Sequence, residues 1–194
     1  MKYLQKLGKA IMLPVAVLPV AAIMMGIGYA MCPATMQGGD VTGIIQIIGF
    51  ALVKIGSAVI DKLPMLFAVG VAIGLSKDQH GAAGLAGLVA FLTVTTVLNS
   101  GVVATMMGAE EAPLAFSKID NAFIGIISGI TASVCYNKFS SAQLPTALAF
   151  FSGKRCVPIV TSFVMVAESA ILYFVWPMLF NALVWVGEHI MGLG

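Results

Sequence analysis

Residues 10–31, AIMLPVAVLPVAAIMMGIGYAM, run without a single charged side chain, and this stretch decides the fold class. An α-helix needs about 20 apolar residues to cross the hydrocarbon core of a bilayer. The stretch is longer than the apolar region of a signal peptide, about 7–15 residues, and Pro14 and Pro19 interrupt it. We therefore predict that residues 10–31 form the first membrane span.

The composition of the whole chain agrees with a membrane protein and excludes other classes. Hydrophobic residues make up 60% of it, charged residues 9%, and the mean hydropathy is +1.03, whereas soluble domains carry about 25% charged residues. The net charge of +2 is too small for a nucleic-acid-binding surface. Cys32, Cys135 and Cys156 are odd in number and include no CxxC pair, so they predict neither a disulfide framework nor a zinc site. We predict no metal and no cofactor.

Further uncharged stretches predict four more spans, which makes about five in all. Residues 44–60 are instead predicted to form an amphipathic helix near the outer surface, because Lys54 and Asp61 share one helix face. The polar segment 139–153 is predicted to be a re-entrant or surface element. We thus expect an all-α integral membrane protein with interfacial segments. The other predicted spans are residues 63–76, 81–98, 121–136 and 156–176, and a loop follows residue 98.

The charges between the spans predict the orientation. If the N-terminus is cytoplasmic, nearly all basic residues of the loops fall on the inner side, as the positive-inside rule requires. We therefore predict a multi-pass protein of the bacterial inner membrane with a cytoplasmic N-terminus. The inner basic residues are then Lys2, Lys6, Lys9, Lys77, Lys138, Lys154 and Arg155, and the outer charged residues are Asp40, Glu110, Glu111, Lys118, Asp120 and Glu188.

Few residues point to chemistry, and we predict no catalytic residue. Glu168 lies inside the fifth predicted span, where an ionisable group costs about 2.5–3.5 kcal/mol on insertion scales. It is either a proton or cation relay, or a carboxyl that is protonated or hydrogen-bonded within the bundle. His80 and His189 have no spaced partner for metal binding or nucleophilic catalysis, and no phosphate-binding loop is present.

Several segments together carry a family resemblance. The chain resembles, in order and spacing, enzyme IIC (EIIC), the membrane permease of the glucose and N-acetylglucosamine branch of the phosphoenolpyruvate-dependent sugar phosphotransferase system (PTS). SKD followed by GAA, and FIGI followed by SG, are more similar to N-acetylglucosamine carriers than to glucose carriers. The segments are LQKLGKAIMLPVAVLPVAAIMMGIGYA (4–30), DKLPMLFAVGVAIGLSKDQHGAAGLAGLVAF (61–91), FIGIISGI (123–130), YNKF (136–139), LPTALAFFSGKRCVPIVTSF (144–163) and VWP (175–177).

The resemblance implies a homodimeric carrier that moves a sugar inward while a cytoplasmic domain, EIIB, phosphorylates it, with EIIA as the preceding relay protein. In such permeases a first helical bundle forms the scaffold and the dimer contact, and a second half holds the sugar with a glutamate in a Thr-Glu-Pro type motif and a histidine. This chain has no Thr-Glu-Pro, and neither histidine lies in the matching region. We expect residues 1–194 to be one EIIC-type domain, the apparently truncated scaffold half, with its substrate-binding residues unknown.

The resemblance carries over to individual scaffold residues. Lys154 and Arg155 are the candidates for residues that lie at the cytoplasmic mouth or contact the phosphoryl-donor domain, because paired cations suit a phosphorylated partner. The alternative is that their charges only set the orientation of the protein in the membrane. Glu168 falls where the family is apolar, which weakens the relay interpretation. The family-motif residues are Pro14 and Pro19 in the first helix, Asp78 and Gly81 in the inner turn, and Gly153 and Pro158 in a GKRFVPI-type stretch in which Cys156 replaces Phe.

Two other hypotheses come from different classes. The chain could dimerise with an intact permease and modulate it without transporting, or it could be an unrelated small channel built on Glu168. Co-purification with a full-length relative tests the first, and conductance after a Glu168→Gln change tests the second.

Overall fold

The structure is a computed structural model that describes residues 2–191, and within that range it contains α-helices and 3-10 helices but no strand. Of the described residues, 81% are helical, which confirms the predicted all-α class. The α-helices are α1 (Lys2–Val15), α2 (Leu18–Met31), α3 (Ala34–Gln37), α4 (Ile44–Asp61), α5 (Leu63–Leu75), α6 (Gly81–Val97), α7 (Ser100–Met107), α8 (Leu114–Ser117), α9 (Ala122–Phe139) and α10 (Cys156–Met191). Two 3-10 helices, Thr146–Phe151 and Gly153–Arg155, precede α10.

Four helical stretches in this range are long and apolar enough to cross a membrane, and α6 with α7 make a fifth if the pair, bent by 49°, counts as one span. This number of long apolar helices indicates a multi-pass membrane protein, as predicted. The four are residues 3–31, α4, α9 and residues 153–191.

The first predicted span is divided into α1 and α2 at Ala16 and Val17. Pro14 lies in the last turn of α1 and Pro19 is the second residue of α2. Proline lacks the N–H that an interior helical residue donates, so the prolines explain why regular helix is interrupted here. Pro14 also has a packing role, because its ring fills the space beside Gly70 of α5, where a methyl group would come within 2.5 Å of the Pro14 Cγ.

The prediction of a surface helix over residues 44–60 is wrong in its packing. α4 lies along α2, and glycines on both helices bring the backbones together: a methyl group at Gly28 would lie 2.7 Å from the Gly49 carbonyl oxygen, and one at Gly56 would lie 2.6 Å from the Ala21 carbonyl oxygen. Small residues permit such close approach between membrane helices. The charges of Lys54 and Asp61 suggested an interface, but they do not reveal the glycine face of the same helix.

α5, α6 and α9 form the centre of the bundle, and their contact residues are small. A methyl group at Gly87 of α6 would lie 2.5 Å from the Ala68 carbonyl oxygen of α5, and one at Gly129 of α9 would lie 2.8 Å from the same oxygen. Ala72 and Ala90 are fully buried nearby. α5 covers residues 63–75 of the span predicted over 63–76, but its 13 residues are too few to count among the long apolar helices above, and it is enclosed by its neighbours.

Two further boundaries differ from the prediction. Residues 100–107 form α7 rather than a loop; the Asn99 Oδ1 accepts a 3.0 Å hydrogen bond from the backbone N–H of Gly101 and caps the helix. α10 does not end at Trp176 but continues through Pro177 to Met191, since the residues beyond are again apolar. Its 36 residues extend about 54 Å, more than the membrane core requires.

The contacts also define the two ends of the bundle. Ala10 lies beside Gly74, so α1 and α5 run in opposite directions, whereas Gly129 beside Ala68 follows Gly125 beside Pro64, so α5 and α9 run in the same direction. The start of α1 and the ends of α5 and α9 therefore lie at one end of the molecule. We call this the basic end, because Lys6, Lys77, Lys138, Lys154 and Arg155 gather there.

Candidate functional site

Asp78 is the centre of a polar cluster at the basic end. Its Oδ2 atom accepts a 2.7 Å hydrogen bond from the Lys154 ammonium and a 3.0 Å hydrogen bond from the Tyr136 hydroxyl. The Lys154–Asp78 contact is the single ion pair found among residues 2–191. It joins the turn after α5 to the segment before α10, and the Tyr136 hydroxyl attaches α9 to the same carboxylate.

The turn that carries Asp78 is held by α9. Asn137 accepts a 2.8 Å hydrogen bond from the backbone N–H of Lys77 and donates a 3.1 Å hydrogen bond to the Leu75 carbonyl oxygen. On the other side of Asp78, the His80 Nδ1 accepts a 3.1 Å hydrogen bond from the backbone N–H of Ala82 and caps α6. The backbone on both sides of Asp78 is thus held in place.

A tight loop brings Lys154 to Asp78. Gly153 has a φ of +70°, a conformation that costs little only for glycine, and its N–H donates a 2.8 Å hydrogen bond to the Ala142 carbonyl oxygen. The Ser152 hydroxyl accepts a 3.0 Å hydrogen bond from the backbone N–H of Leu144. These bonds fold residues 142–153 back on themselves and start the 3-10 helix that presents Lys154.

Charge and burial differ sharply within the cluster. The Lys154 ammonium and, to a lesser extent, the Tyr136 hydroxyl stabilise the carboxylate and lower the pKa of Asp78 from 3.8 to about 2. Tyr136 is fully buried, whereas the side chains of Lys154 and Asp78 are 41% and 38% exposed. The carboxylate is therefore charged at every physiological pH, and it neutralises Lys154.

Arg155 is separated from its neighbour in the sequence. Its guanidinium donates a 3.2 Å hydrogen bond to the Phe150 carbonyl oxygen and lies 4.8 Å from the centre of the Phe150 ring. No described acidic side chain forms an ion pair with it. The two adjacent cations therefore differ: Lys154 is paired with the Asp78 carboxylate, and Arg155 keeps its charge at the exposed surface.

The structure brings together only some of the predicted motif residues. Asp78, Gly153 and Lys154 belong to the cluster, and Gly81 begins α6 three residues after Asp78. Nothing around Gly81 explains a need for glycine, since the space beside it is open. Pro158 is the third residue of α10, and Pro14 and Pro19 lie in the first two helices, outside the cluster.

Tyr136 and Asn137 had no predicted role. Both lie in the YNKF segment that carries part of the resemblance. Their partners are 58 and 60 residues away along the chain, so nothing local in the sequence reveals the contacts. Only the presence of a tyrosine and an asparagine at the end of an apolar helix could have indicated that this helix end makes polar contacts.

Glu168 lies within α10. Its Oε1 atom is buried and has no hydrogen-bond partner in the described part of the chain. The same is true of the hydroxyl of Thr161, which lies two turns earlier on the same face of α10.

Across residues 2–191, no three His, Cys, Asp or Glu side chains come close enough to hold a metal ion. Cys32, Cys135 and Cys156 are buried and unpaired in that range.

Comparison with known proteins identifies the family. The family model described as "Phosphotransferase system, EIIC" matches residues 8–194. A curated relative, the PTS system N-acetylglucosamine-specific EIICB component of Bacillus subtilis (strain 168), is 37% identical over 196 residues, which cover 100% of this chain and 37% of the relative. The chain thus spans about 37% of that relative's length. Because the family match covers nearly all of it, the chain belongs to the EIIC family of the phosphotransferase system.

Proposed function

We propose that this chain forms part of a membrane permease that transports N-acetylglucosamine in a phosphoenolpyruvate-dependent phosphotransferase system. The observation that carries the proposal is 37% identity along the whole chain to a protein named as N-acetylglucosamine-specific. The SKD–GAA and FIGI–SG segments support this sugar over glucose. The multi-helix apolar bundle supports a role inside the membrane.

In this proposal, residues 1–194 act as one scaffold domain that also forms the homodimer contact. The support is the close backbone packing of α5 with α6 and α9, through Ala68, Gly87 and Gly129, which makes the bundle rigid. The sugar-holding glutamate and histidine are then supplied by residues outside these 194, since the sequence contains no Thr-Glu-Pro.

The basic end is the proposed cytoplasmic face and the docking region for EIIB, the phosphorylated partner domain. Arg155 supports this assignment, because its guanidinium has five N–H donors and makes a single hydrogen bond among the described residues. A guanidinium binds phosphate oxygens in a two-pronged geometry that an ammonium cannot reproduce. Lys154 acts by positioning this loop through Asp78, and not by meeting the phosphate itself.

The proposal is tested with a fusion of the 194-residue chain to the part of the Bacillus subtilis relative that follows its matched region. Inverted membrane vesicles from cells without their own N-acetylglucosamine permease are supplied with the soluble phosphorelay proteins and labelled sugar. We expect phosphorylation of N-acetylglucosamine by the fusion and none by the chain alone. Arg155→Gln should lower the rate at least about tenfold, since a charge-assisted contact is lost, whereas Lys118→Gln at the opposite end should not.

The outcomes separate the parts of the proposal. A fusion that inserts and folds but phosphorylates no sugar contradicts the permease assignment. Phosphorylation of glucose in preference to N-acetylglucosamine contradicts the choice of sugar. Sugar phosphate formed by the chain alone contradicts the scaffold assignment, and an unchanged rate in Arg155→Gln contradicts the docking role.

A further inference from the structure

A cavity of about 670 Å³ opens at the basic end, between the start of α1 and the last turns of α9. Its size falls within the range of about 300–1,000 Å³ that is usual for small-molecule sites. α1 and α9 pack on different faces of α5, and the cavity fills the angle between them. It adjoins the Asp78 cluster: Lys77 and Asn137 line the cavity, whereas Asp78, Tyr136 and Lys154 do not.

Three lysines from three different segments line this cavity: Lys6 of α1, Lys77 after α5 and Lys138 of α9. No acidic side chain is part of the lining, and none of the three forms an ion pair within the described chain. The Lys77 ammonium makes one long hydrogen bond of 3.4 Å to the Ser141 hydroxyl. The Lys138 ammonium lies 5.5 Å from the centre of the Phe139 ring. The lining therefore carries three cations and no acidic group, a composition that suits an anionic ligand.

The wall below the lysines is apolar. Ile130 and Val134 lie two turns and one turn before Lys138 on α9, and Leu75 faces them from α5. Val134 is 58% exposed, so the apolar wall continues from the cavity onto the outer surface of the helices. Cations at a helix end with an apolar groove beneath them match an amphiphile that has an anionic head and an alkyl tail.

We propose that this cavity binds an anionic phospholipid, with the phosphate among Lys6, Lys77 and Lys138 and an acyl chain along Ile130 and Val134. Basic pockets between membrane helices at a bilayer surface are known to hold anionic headgroups. A soluble phosphate shares the headgroup chemistry, but it does not use the exposed apolar wall. The wall is the reason for choosing the lipid.

Native mass spectrometry of the full chain in detergent tests the proposal with phosphatidylglycerol and phosphatidylcholine of identical acyl chains. We expect phosphatidylglycerol to bind at least about tenfold more tightly. The preference should fall with rising salt, because partly exposed charges are screened. The triple variant Lys6→Gln, Lys77→Gln, Lys138→Gln should lose it. The matched triple variant Lys54→Gln, Lys62→Gln, Lys118→Gln removes the same charge elsewhere and should keep it.

Competition distinguishes the two sources of phosphate. Inorganic phosphate or glycerol 3-phosphate at millimolar concentration should not displace the lipid, and displacement by either would overturn the assignment to phospholipid. Equal binding of the two lipids, or equal loss of preference in both triple variants, would overturn the site itself. Thermal unfolding of each variant in phosphatidylcholine, where no difference is expected, ensures that lost binding does not reflect lost folding.

Discussion

Tyr136 shows how one polar atom in an apolar chain determines the local arrangement. Its ring is fully buried among the helices, and its hydroxyl reaches Asp78 in the turn after α5. A buried tyrosine places its hydroxyl where it finds a partner. Asp78 provides that partner, and the same carboxylate accepts the Lys154 ammonium, so one oxygen atom connects three segments of the chain.

Tyr136→Phe should therefore destabilise the protein by about 1 kcal/mol, because it removes one hydrogen bond and keeps the ring. The free energy of unfolding in detergent measures the effect. Tyr29→Phe is the matched control, since no hydrogen bond of the Tyr29 hydroxyl occurs in the described structure. Equal stability of Tyr136→Phe and the unchanged protein would contradict the role of this contact.

The pH dependence of stability follows from Asp78. Its pKa falls from 3.8 to about 2 on folding, so its stabilisation is fully present above about pH 4 and is lost as the pH falls towards 2. The stability difference between the unchanged protein and Asp78→Asn should be constant from pH 7 to pH 5, shrink below about pH 4 and be largely lost near pH 2. Unfolding measured across this range checks it; a difference that vanishes already at pH 5 would show that Lys154 does not stabilise the carboxylate.

At the scale of the helices, glycine positions determine which faces meet. Gly129 of α9 lies against the Ala68 carbonyl of α5, and Gly28 of α2 lies against Gly49 of α4. Gly26 is only two residues from Gly28, yet nothing lies within 4 Å of the place where its methyl group would be. The role of a glycine in this chain is thus set by its helix face and not by its residue type.

The same substitution should therefore have opposite effects at two positions. Gly129→Ala should destabilise the bundle by about 1–3 kcal/mol, because the methyl group meets a backbone oxygen that cannot move aside. Gly26→Ala should be neutral or stabilising by about 0.5–1 kcal/mol, because alanine favours the helix. Unfolding of both variants in one detergent compares them, and a destabilised Gly26→Ala with an unaffected Gly129→Ala would refute the packing described.

At the scale of the whole molecule, five basic residues that are far apart in the sequence lie at one end. Lys6, Lys77 and Lys138 line one cavity, and Lys154 and Arg155 lie at the same end. The residues around Ala115, which accepts a hydrogen bond from the Trp176 indole, lie at the other end. This concentration of basic residues at one end is the distribution that the positive-inside rule describes for a protein with one preferred orientation.

The proposed cytoplasmic N-terminus is tested by labelling intact cells with a membrane-impermeant maleimide. In a background without Cys32, Cys135 and Cys156, a cysteine at the exposed position Ala109 should react from outside, and one at the exposed position Gln143 should react only after the membrane is opened. The reverse pattern would place the basic end outside.

Local properties of the sequence determined the all-α membrane class and the rough positions of most helices, and the resemblance of several segments indicated the family. Hydropathy and charge are summed over neighbouring residues, so a run such as residues 10–31 predicts a span with no knowledge of its partners. The same reasoning found the basic residues and the GKR stretch around Lys154, because they too are local.

Only the tertiary structure determined which helices pack together and which polar side chains meet. It placed α4 along α2, joined Asp78 to Lys154 and Tyr136 across 76 and 58 residues, and opened a basic cavity between α1 and α9. The physical reason is that each of these features depends on which faces of distant helices meet. Close approach of glycines and pairing of buried polar groups set those contacts, and both arise between segments that hydropathy treats separately.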